Sequence, residues 1–261
     1  MKLRVAGAEL ACEVSGAGPA LLLLHAFPLG LAMWDAQAAA LADSHQVVRF
    51  DGRGFGGSPP GDGLLTMERI ADDAAGVLDR LGLPSAVVCG ISMGGYAAFA
   101  MVRRHPERIR ALVLADTRAG PDSPEARANR AAQAEKARRE GTRAIADAVL
   151  PKLLGATSHR ERPGLVARVR QMIEANPPRG ITDALAGLAA RADSTPTLRE
   201  IRVPTLVVVG EEDAITPPAE AEILHRGIAD SRLAAIPQAG HLSSMENPDE
   251  FNRQVRAFLA R

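Results

Sequence analysis

Ala86-Val87-Val88-Cys89-Gly90-Ile91-Ser92-Met93-Gly94-Gly95-Tyr96-Ala97 is the stretch that decides the fold. It opens as a short apolar run rich in β-branched residues, passes through glycines that flank one serine at a spacing of two, and continues as the alanine-rich start of a helix. This is the pattern of a buried strand, a sharp turn and a helix. A serine at the apex of such a turn is pushed out at the carboxyl end of the strand, and small neighbours are needed because a Cβ there would collide with the crossing backbone. The helix that begins at the serine aims its unpaired N–H groups at whatever the serine attacks. Ser92 is therefore a candidate nucleophile, although the same glycine spacing also arises in turns that carry no chemistry.

The alternation extends to both sides of this turn. Residues 2 to 14 read as two short strands around Gly7-Ala8, and Ala20-Leu21-Leu22-Leu23-Leu24 as a strand apolar on both faces. Met33 to Leu41 is helical by composition, Gln46 to Phe50 is the next strand, and a helix starts at Thr66 and ends at Gly82. In that helix Ile70, Val77, Leu78 and Leu81 recur at helical spacing, with Arg69, Asp72, Asp73 and Arg80 assigned outward. Ile109 to Ala115 follows as a strand. Strand and helix in regular exchange imply right-handed crossovers and a largely parallel sheet, an α/β fold.

Composition changes after Asp116. From about Arg118 to Pro178 the chain is rich in Ala and Arg, and helical patterns run over Glu125 to Glu140, Thr142 to Leu154 and Leu165 to Ala175. This predicts an all-helical insertion over 118–178 within a core formed by 1–117 and 179–261. The run Glu135-Lys136-Ala137-Arg138-Arg139-Glu140 mixes signs and reads as a solvated face. After a further helix over residues 180 to 191, the alternation resumes with Pro204 to Gly210, a helix over Pro217 to Gly227, a last strand Arg232 to Ile236, and a terminal helix capped by Asn247 and led by Pro248.

In an open parallel sheet, ligands gather outside the carboxyl ends of the strands. Ser92, Asp213 and His241 each follow such an end. A serine hydroxyl becomes nucleophilic when a base accepts its proton, and imidazole, with an unperturbed pKa of ~6.5, suits that task near neutrality. A carboxylate behind the imidazole sets its tautomer, and the order Ser, Asp, His is a known solution. Asp116 also ends a strand and is the rival acid; Asp213 is preferred because a single helix separates it from His241, which puts the two on neighbouring strands. Acyl transfer further needs donors for an oxyanion. The backbone N–H of Met93, next after the serine, and that of Phe27, whose amide is free where Pro28 has none, are the candidates.

The remaining numbers exclude other classes. The 261 residues carry 31 Lys+Arg against 31 Asp+Glu, so nothing in the balance calls for a nucleic-acid or anionic-membrane partner. With one Trp and one Tyr, a base-stacking platform is not expected. Cys12 and Cys89 match neither zinc-ligand spacing nor a disulfide framework, and no metal or cofactor is expected. Asp51-Gly52-Arg53-Gly54-Phe55-Gly56-Gly57-Ser58-Pro59-Pro60 is dense in glycine but lacks the Gly-Lys-Ser/Thr ending of a phosphate loop, so it reads as a structural loop that Asp51 and Arg53 help to fix. Met1 to Val5 has no apolar run behind its basic residues and Ala20 to Leu24 is too short to cross a bilayer, which predicts a cytoplasmic protein.

Taken together, His25-Ala26-Phe27-Pro28, the Asp51 to Ser58 loop, Gly90-Ile91-Ser92-Met93-Gly94-Gly95, Gly210-Glu211-Glu212-Asp213 and Gly240-His241 resemble the α/β-hydrolase superfamily over essentially the whole chain. The resemblance implies an eight-stranded, mostly parallel sheet with its second strand antiparallel and a helical cap inserted after the sixth. The chain departs from the common His-Gly at His25-Ala26. Within the superfamily it is similar to bacterial carboxylesterases and 3-oxoadipate enol-lactonases, which implies a small ester or lactone as the substrate. C–C bond hydrolases, cofactor-free perhydrolases and slow-turnover small-molecule receptors share the fold and the serine, and remain alternatives. The cap together with Leu29, Trp34 and Leu242 is expected to line the pocket.

Overall fold

In a computed structural model, residues 1–260 are described. Eight strands form one sheet: β1 (Lys2–Val5), β2 (Ala8–Ser15), β3 (Ala20–Leu24), β4 (Gln46–Phe50), β5 (Ala86–Ile91), β6 (Ile109–Ala115), β7 (Thr205–Gly210) and β8 (Ser231–Ile236). Their spatial order is β1-β2-β4-β3-β5-β6-β7-β8. β2 runs antiparallel to both β1 and β4, and every later pairing is parallel. The predominantly apolar strands lie inside the sheet, away from its edges. Every residue of β3, β5 and β7 is buried, whereas β8 at the edge is partly exposed. Parallel strands need both faces covered, and continuous runs of Leu, Val and Ile supply them.

The helices are α1 (Asp35–Leu41), α2 (Met67–Arg80), α3 (Met93–Arg104), α4 (Pro124–Glu140), α5 (Thr142–Leu153), α6 (Ala156–Glu161), α7 (Pro163–Glu174), α8 (Pro178–Ala189), α9 (Pro218–Gly227), α10 (Ser243–Glu246) and α11 (Pro248–Leu259). Side-chain caps mark several starts: Thr66 accepts the N–H of Arg69 at 3.1 Å, Ser123 that of Ala126 at 3.2 Å, and Asn247 that of Glu250 at 3.4 Å. α4 to α8 all lie between β6 and β7 in the chain, and α4 packs on α8. The six-residue α6 and four-residue α10 escape periodicity, since neither completes two turns.

Two charged residues of the glycine-dense loop hold it, but not through each other. The Asp51 carboxylate accepts the N–H of Leu31 at 2.6 Å and of Gly57 at 2.8 Å. Arg53 instead pairs with Asp73, Nε to Oδ2 at 2.8 Å and Nη2 to Oδ1 at 2.6 Å. Asp73 is therefore not outward, as its helical position suggested: it is 1% exposed, because α2 turns that side toward the loop and a buried guanidinium needs a partner. Asn176 then ties the loop to the site, accepting the N–H of Gly56 at 2.9 Å and donating to the carbonyl of Pro28 at 2.8 Å.

Candidate active site

At the turn after β5, Ser92 has φ +52° and ψ −112°, a conformation that costs a non-glycine residue ~1–3 kcal/mol. The surroundings over-determine it. Its N–H donates to Ala115 O at 3.0 Å, and its carbonyl accepts from Thr117 Oγ1 at 3.0 Å. A Cβ at Gly90 would run into the carbonyl of Gly94, and one at Gly94 into the carbonyl of Leu24, so only glycine lets strand and helix cross here.

The turn brings together three side chains from distant stretches. Ser92 Oγ lies 2.8 Å from His241 Nε2, and His241 Nδ1 lies 2.8 Å from Asp213 Oδ2. All three are buried. Asp213 is fully committed: Oδ1 accepts the N–H of Ile215 at 2.8 Å and of Thr216 at 2.9 Å, while Oδ2 also accepts Thr216 Oγ1 at 2.8 Å. Burial works to raise its carboxyl, yet the charge and hydrogen bond of His241, with those from Thr216, hold it below the usual carboxylate range. Burial equally opposes a charged His241, but Asp213 first and then Asp116 and Glu246 raise it above the ordinary histidine value. In this geometry Nδ1 carries its proton toward Asp213 and Nε2 is free to accept one from Ser92.

Asp116, the rival acid, does not reach the imidazole. Its Oδ1 accepts the N–H of Gly210 at 2.8 Å, and its Oδ2 accepts the N–H of Ser243 at 3.1 Å and Ser243 Oγ at 2.6 Å. Burial, and then the charge of Asp213, push its carboxyl up to about 8. His25 is likewise occupied, accepting the N–H of Gly52 on Nε2 at 2.9 Å with Nδ1 3.0 Å from Ala26 O, an arrangement that buttresses the loop carrying Phe27.

A cavity of about 620 Å³ opens on Ser92 and His241, and Phe27 and Met93 line it beside them. The N–H groups of Phe27 and Met93 meet no acceptor among the described residues. Leu29, Trp34 and Leu242 do not line this cavity. All three are fully buried in the core, with the Trp34 ring 6.1 Å from that of Phe251, because closeness in sequence to Phe27 and His241 says nothing about which way a side chain turns. The opposite wall comes from α4 and α5, including Arg130, Lys136, Val149 and Lys152. Lys136 borders this cavity from the solvated face of α4, half-exposed and paired with Glu140 at 3.4 Å.

Arg118 and Asp122, on the segment after β6, complete the wall and were missed in the sequence. The Asp122 carboxylate has no exposed surface and is ringed by Arg118 at 3.0 Å, Arg191 at 2.9 Å and Arg130. Burial would raise it, but these arginines hold it below the usual range. Arg191 also lies 4.3 Å over the ring of Tyr96, which faces the same cavity. The lining carries Arg118, Arg130, Lys136 and Lys152 against the single carboxylate of Asp122, so the field inside favours an anion.

An open sheet of this order, with a strained serine after its fifth strand and a histidine and carboxylate beside it, is the arrangement of an α/β hydrolase. The chain belongs to the alpha/beta hydrolase fold family, which it matches over residues 19–248, and it is an enzyme of that type. Among solved structures it is similar to a thermophilic esterase from Thermogutta terrifontis, described as malate bound, with 44% identity, a TM-score of 0.96, and 100% of this chain and 97% of that one covered. It is also similar to the enol-lactonase from Burkholderia xenovorans, with 34% identity, a TM-score of 0.93 and full coverage of both chains. A curated relative, 3-oxoadipate enol-lactonase 2 of Acinetobacter baylyi, is 31% identical over 243 residues, 93% of this chain and 89% of its own. No helix among the described residues is long and apolar enough to cross a membrane.

Proposed function

We propose that the protein is a serine hydrolase that cleaves a carboxylic ester or lactone through an acyl-enzyme. The observation that carries this reading is the unbroken chain from Ser92 Oγ through His241 to Asp213, at 2.8 Å for each step, at the edge of a cavity. His241 Nε2 accepts the proton of Ser92 as Oγ attacks the carbonyl carbon, and Asp213 holds the tautomer and steadies the imidazolium. The free N–H groups of Met93 and Phe27 take the oxyanion. His241 returns the proton to the alkoxide oxygen, which leaves as an alcohol from an ester or stays tethered as a hydroxyl from a lactone. A water, deprotonated by His241, then attacks the acyl carbon; the acyl–Oγ bond breaks, His241 returns the proton to Ser92 Oγ and the acid is released.

The esterase and enol-lactonase relatives support the substrate class, and the cationic lining supports an ester or lactone that itself carries a carboxylate. Residues 118–178 act in this proposal as a cap on a core of 1–117 and 179–261, supported by the part of the wall that α4 and α5 supply. A cytoplasmic setting belongs to the same proposal, supported by Cys12 and Cys89 being buried and unpaired. Ser92→Ala tests it. Steady multiple turnover of a short-chain p-nitrophenyl ester by the unaltered enzyme should fall to background in the variant with the melting temperature preserved; retained turnover sinks the assignment.

A further inference from the structure

A second buried carboxylate lies behind His241. Glu246, the last residue of α10, is 3% exposed and accepts four hydrogen bonds divided between two parts of the chain. Oε1 takes the N–H of Gly240 at 2.8 Å and of Leu242 at 3.2 Å, the residues on either side of His241. Oε2 takes the N–H of Gly155 at 2.8 Å and the hydroxyl of Ser158 at 2.6 Å, where α6 begins. Arg162, just after α6, reinforces the contact through Nη1, which donates to the carbonyls of Gln238 at 3.0 Å and Glu246 at 2.8 Å.

Stability alone explains why a buried carboxylate should have four donors. It does not explain why the donors are the two amides that bracket the histidine and two groups of the inserted helices. Ser243, two residues beyond the histidine, is held in the same way by Asp116. The amides of residues 240, 242 and 243 are therefore all bound to buried carboxylates, and the backbone that aims the imidazole is clamped on both sides.

We infer that Glu246 is a positioning residue for His241, and that it makes the aim of the imidazole depend on the docking of the α5–α6 turn. The inference rests on the reaction proposed above. A misplacement of about 1 Å between reacting groups costs on the order of 10²-fold in rate, so a loose bracket is felt in kcat rather than in KM. The charge also matters. The groups acting on His241 are Asp213 at its Nδ1, Thr216 Oγ1 at 3.2 Å, Ser92 at its Nε2, and the carboxylates of Asp116 and Glu246. Glu246 itself is pushed up by burial, against the bonds from Ser158, Gly155, Leu242 and Gly240.

Glu246→Gln keeps the shape and removes the charge. Its amide oxygen can serve only one side, and its NH₂ then faces N–H groups on the other. The expected result is a kcat lowered roughly 10- to 100-fold with KM within about threefold, and a midpoint for the acid limb of the rate profile displaced to lower pH. Ser158→Ala keeps the charge and removes the bond from Ser158 Oγ to Glu246 together with the one Oγ accepts from Arg162 Nη1 at 3.2 Å; kcat should fall about three- to tenfold with the acid-limb midpoint unmoved. A Glu246→Gln enzyme with a lowered melting temperature but unchanged kcat and acid limb overturns the inference, leaving Glu246 as a structural carboxylate only. If that variant fails to fold, Ser158→Ala decides: unchanged kcat removes the link to α6. The underlying reaction fails by a different result, turnover retained in Ser92→Ala.

Discussion

Replacing Asp213 by asparagine separates the proposed acid from its rival. The two backbone donors, Ile215 and Thr216 at 2.8 and 2.9 Å, fix the new amide oxygen on the Oδ1 side. The NH₂ then occupies the Oδ2 position, 2.8 Å from His241 Nδ1. Two N–H groups cannot face each other at that distance, so the imidazole changes tautomer, Nδ1 accepts, and Nε2 presents a proton to Ser92 where it has to accept one. Geometry survives while the base is lost. Tautomer reversal in such a triad lowers kcat by about 10⁴, or roughly 5.5 kcal/mol of transition-state stabilisation. The fold loses one charge-assisted bond, about 1–3 kcal/mol, or roughly 2–12 °C in melting temperature for a chain of this size. Asp116→Asn is the comparison: its carboxylate bonds to Gly210 and Ser243, so the variant leaves the tautomer alone and loosens only the backbone behind His241, a loss on the order of 10- to 100-fold. Steady-state hydrolysis of a p-nitrophenyl ester beside thermal melting reads both effects. An Asp213→Asn enzyme within tenfold of the parent kcat, or an Asp116→Asn enzyme that is folded and equally impaired, would refute the reasoning.

Other consequences are as open to measurement. Asp73→Ala strands the buried Arg53 guanidinium and should cost about 3–5 kcal/mol, seen as a melting temperature lower by roughly 6–20 °C; a change under 2 °C would show the pair to be dispensable. Activity should rise with pH through a midpoint above the ordinary histidine value of about 6.5, because only neutral His241 can accept the serine proton. The stability linked to the same group runs the other way. With a folded pKa above the unfolded one, the His241 contribution is complete below about 6.5 and is lost as pH rises through the folded value. Melting scans and rates across pH 5–9 should therefore show opposed trends. Finally, a p-nitrophenyl ester bearing a terminal carboxylate should be hydrolysed with a kcat/KM about tenfold above its neutral counterpart. Lys152→Gln should shrink that ratio, whereas a ratio below one would contradict an anion-seeking cavity.

Much of this was legible in the linear chain because it is local. Gly90-Ile91-Ser92-Met93-Gly94 carries strand, turn and helix in one window, and Asn247-Pro248 writes its own cap. Ser92, Asp213 and His241 could be placed near one another because strand ends in a parallel sheet share an edge. Side-chain direction could not be placed. Trp34 and Leu242 neighbour the site in sequence and turn into the core, while Lys136 and Lys152 reach the cavity from helices whose packing no periodicity specifies. Asp73 follows the same logic: its face of α2 becomes buried once Arg53, 20 residues earlier, arrives there. Glu246 sits only five positions past His241, yet its role depends on Gly155 and Ser158, some ninety residues away.

The backbone of Ser92 stands where the chain would settle more easily with glycine. Selection for stability by itself would tend to erode that serine, since removing its Cβ relaxes a conformation that costs ~1–3 kcal/mol at the loss of one hydrogen bond, Oγ to His241 Nε2. Under the proposed reaction, what keeps a side chain at the least comfortable point of the turn is the work its oxygen does. At this position the most durable sequence and the working sequence are different molecules.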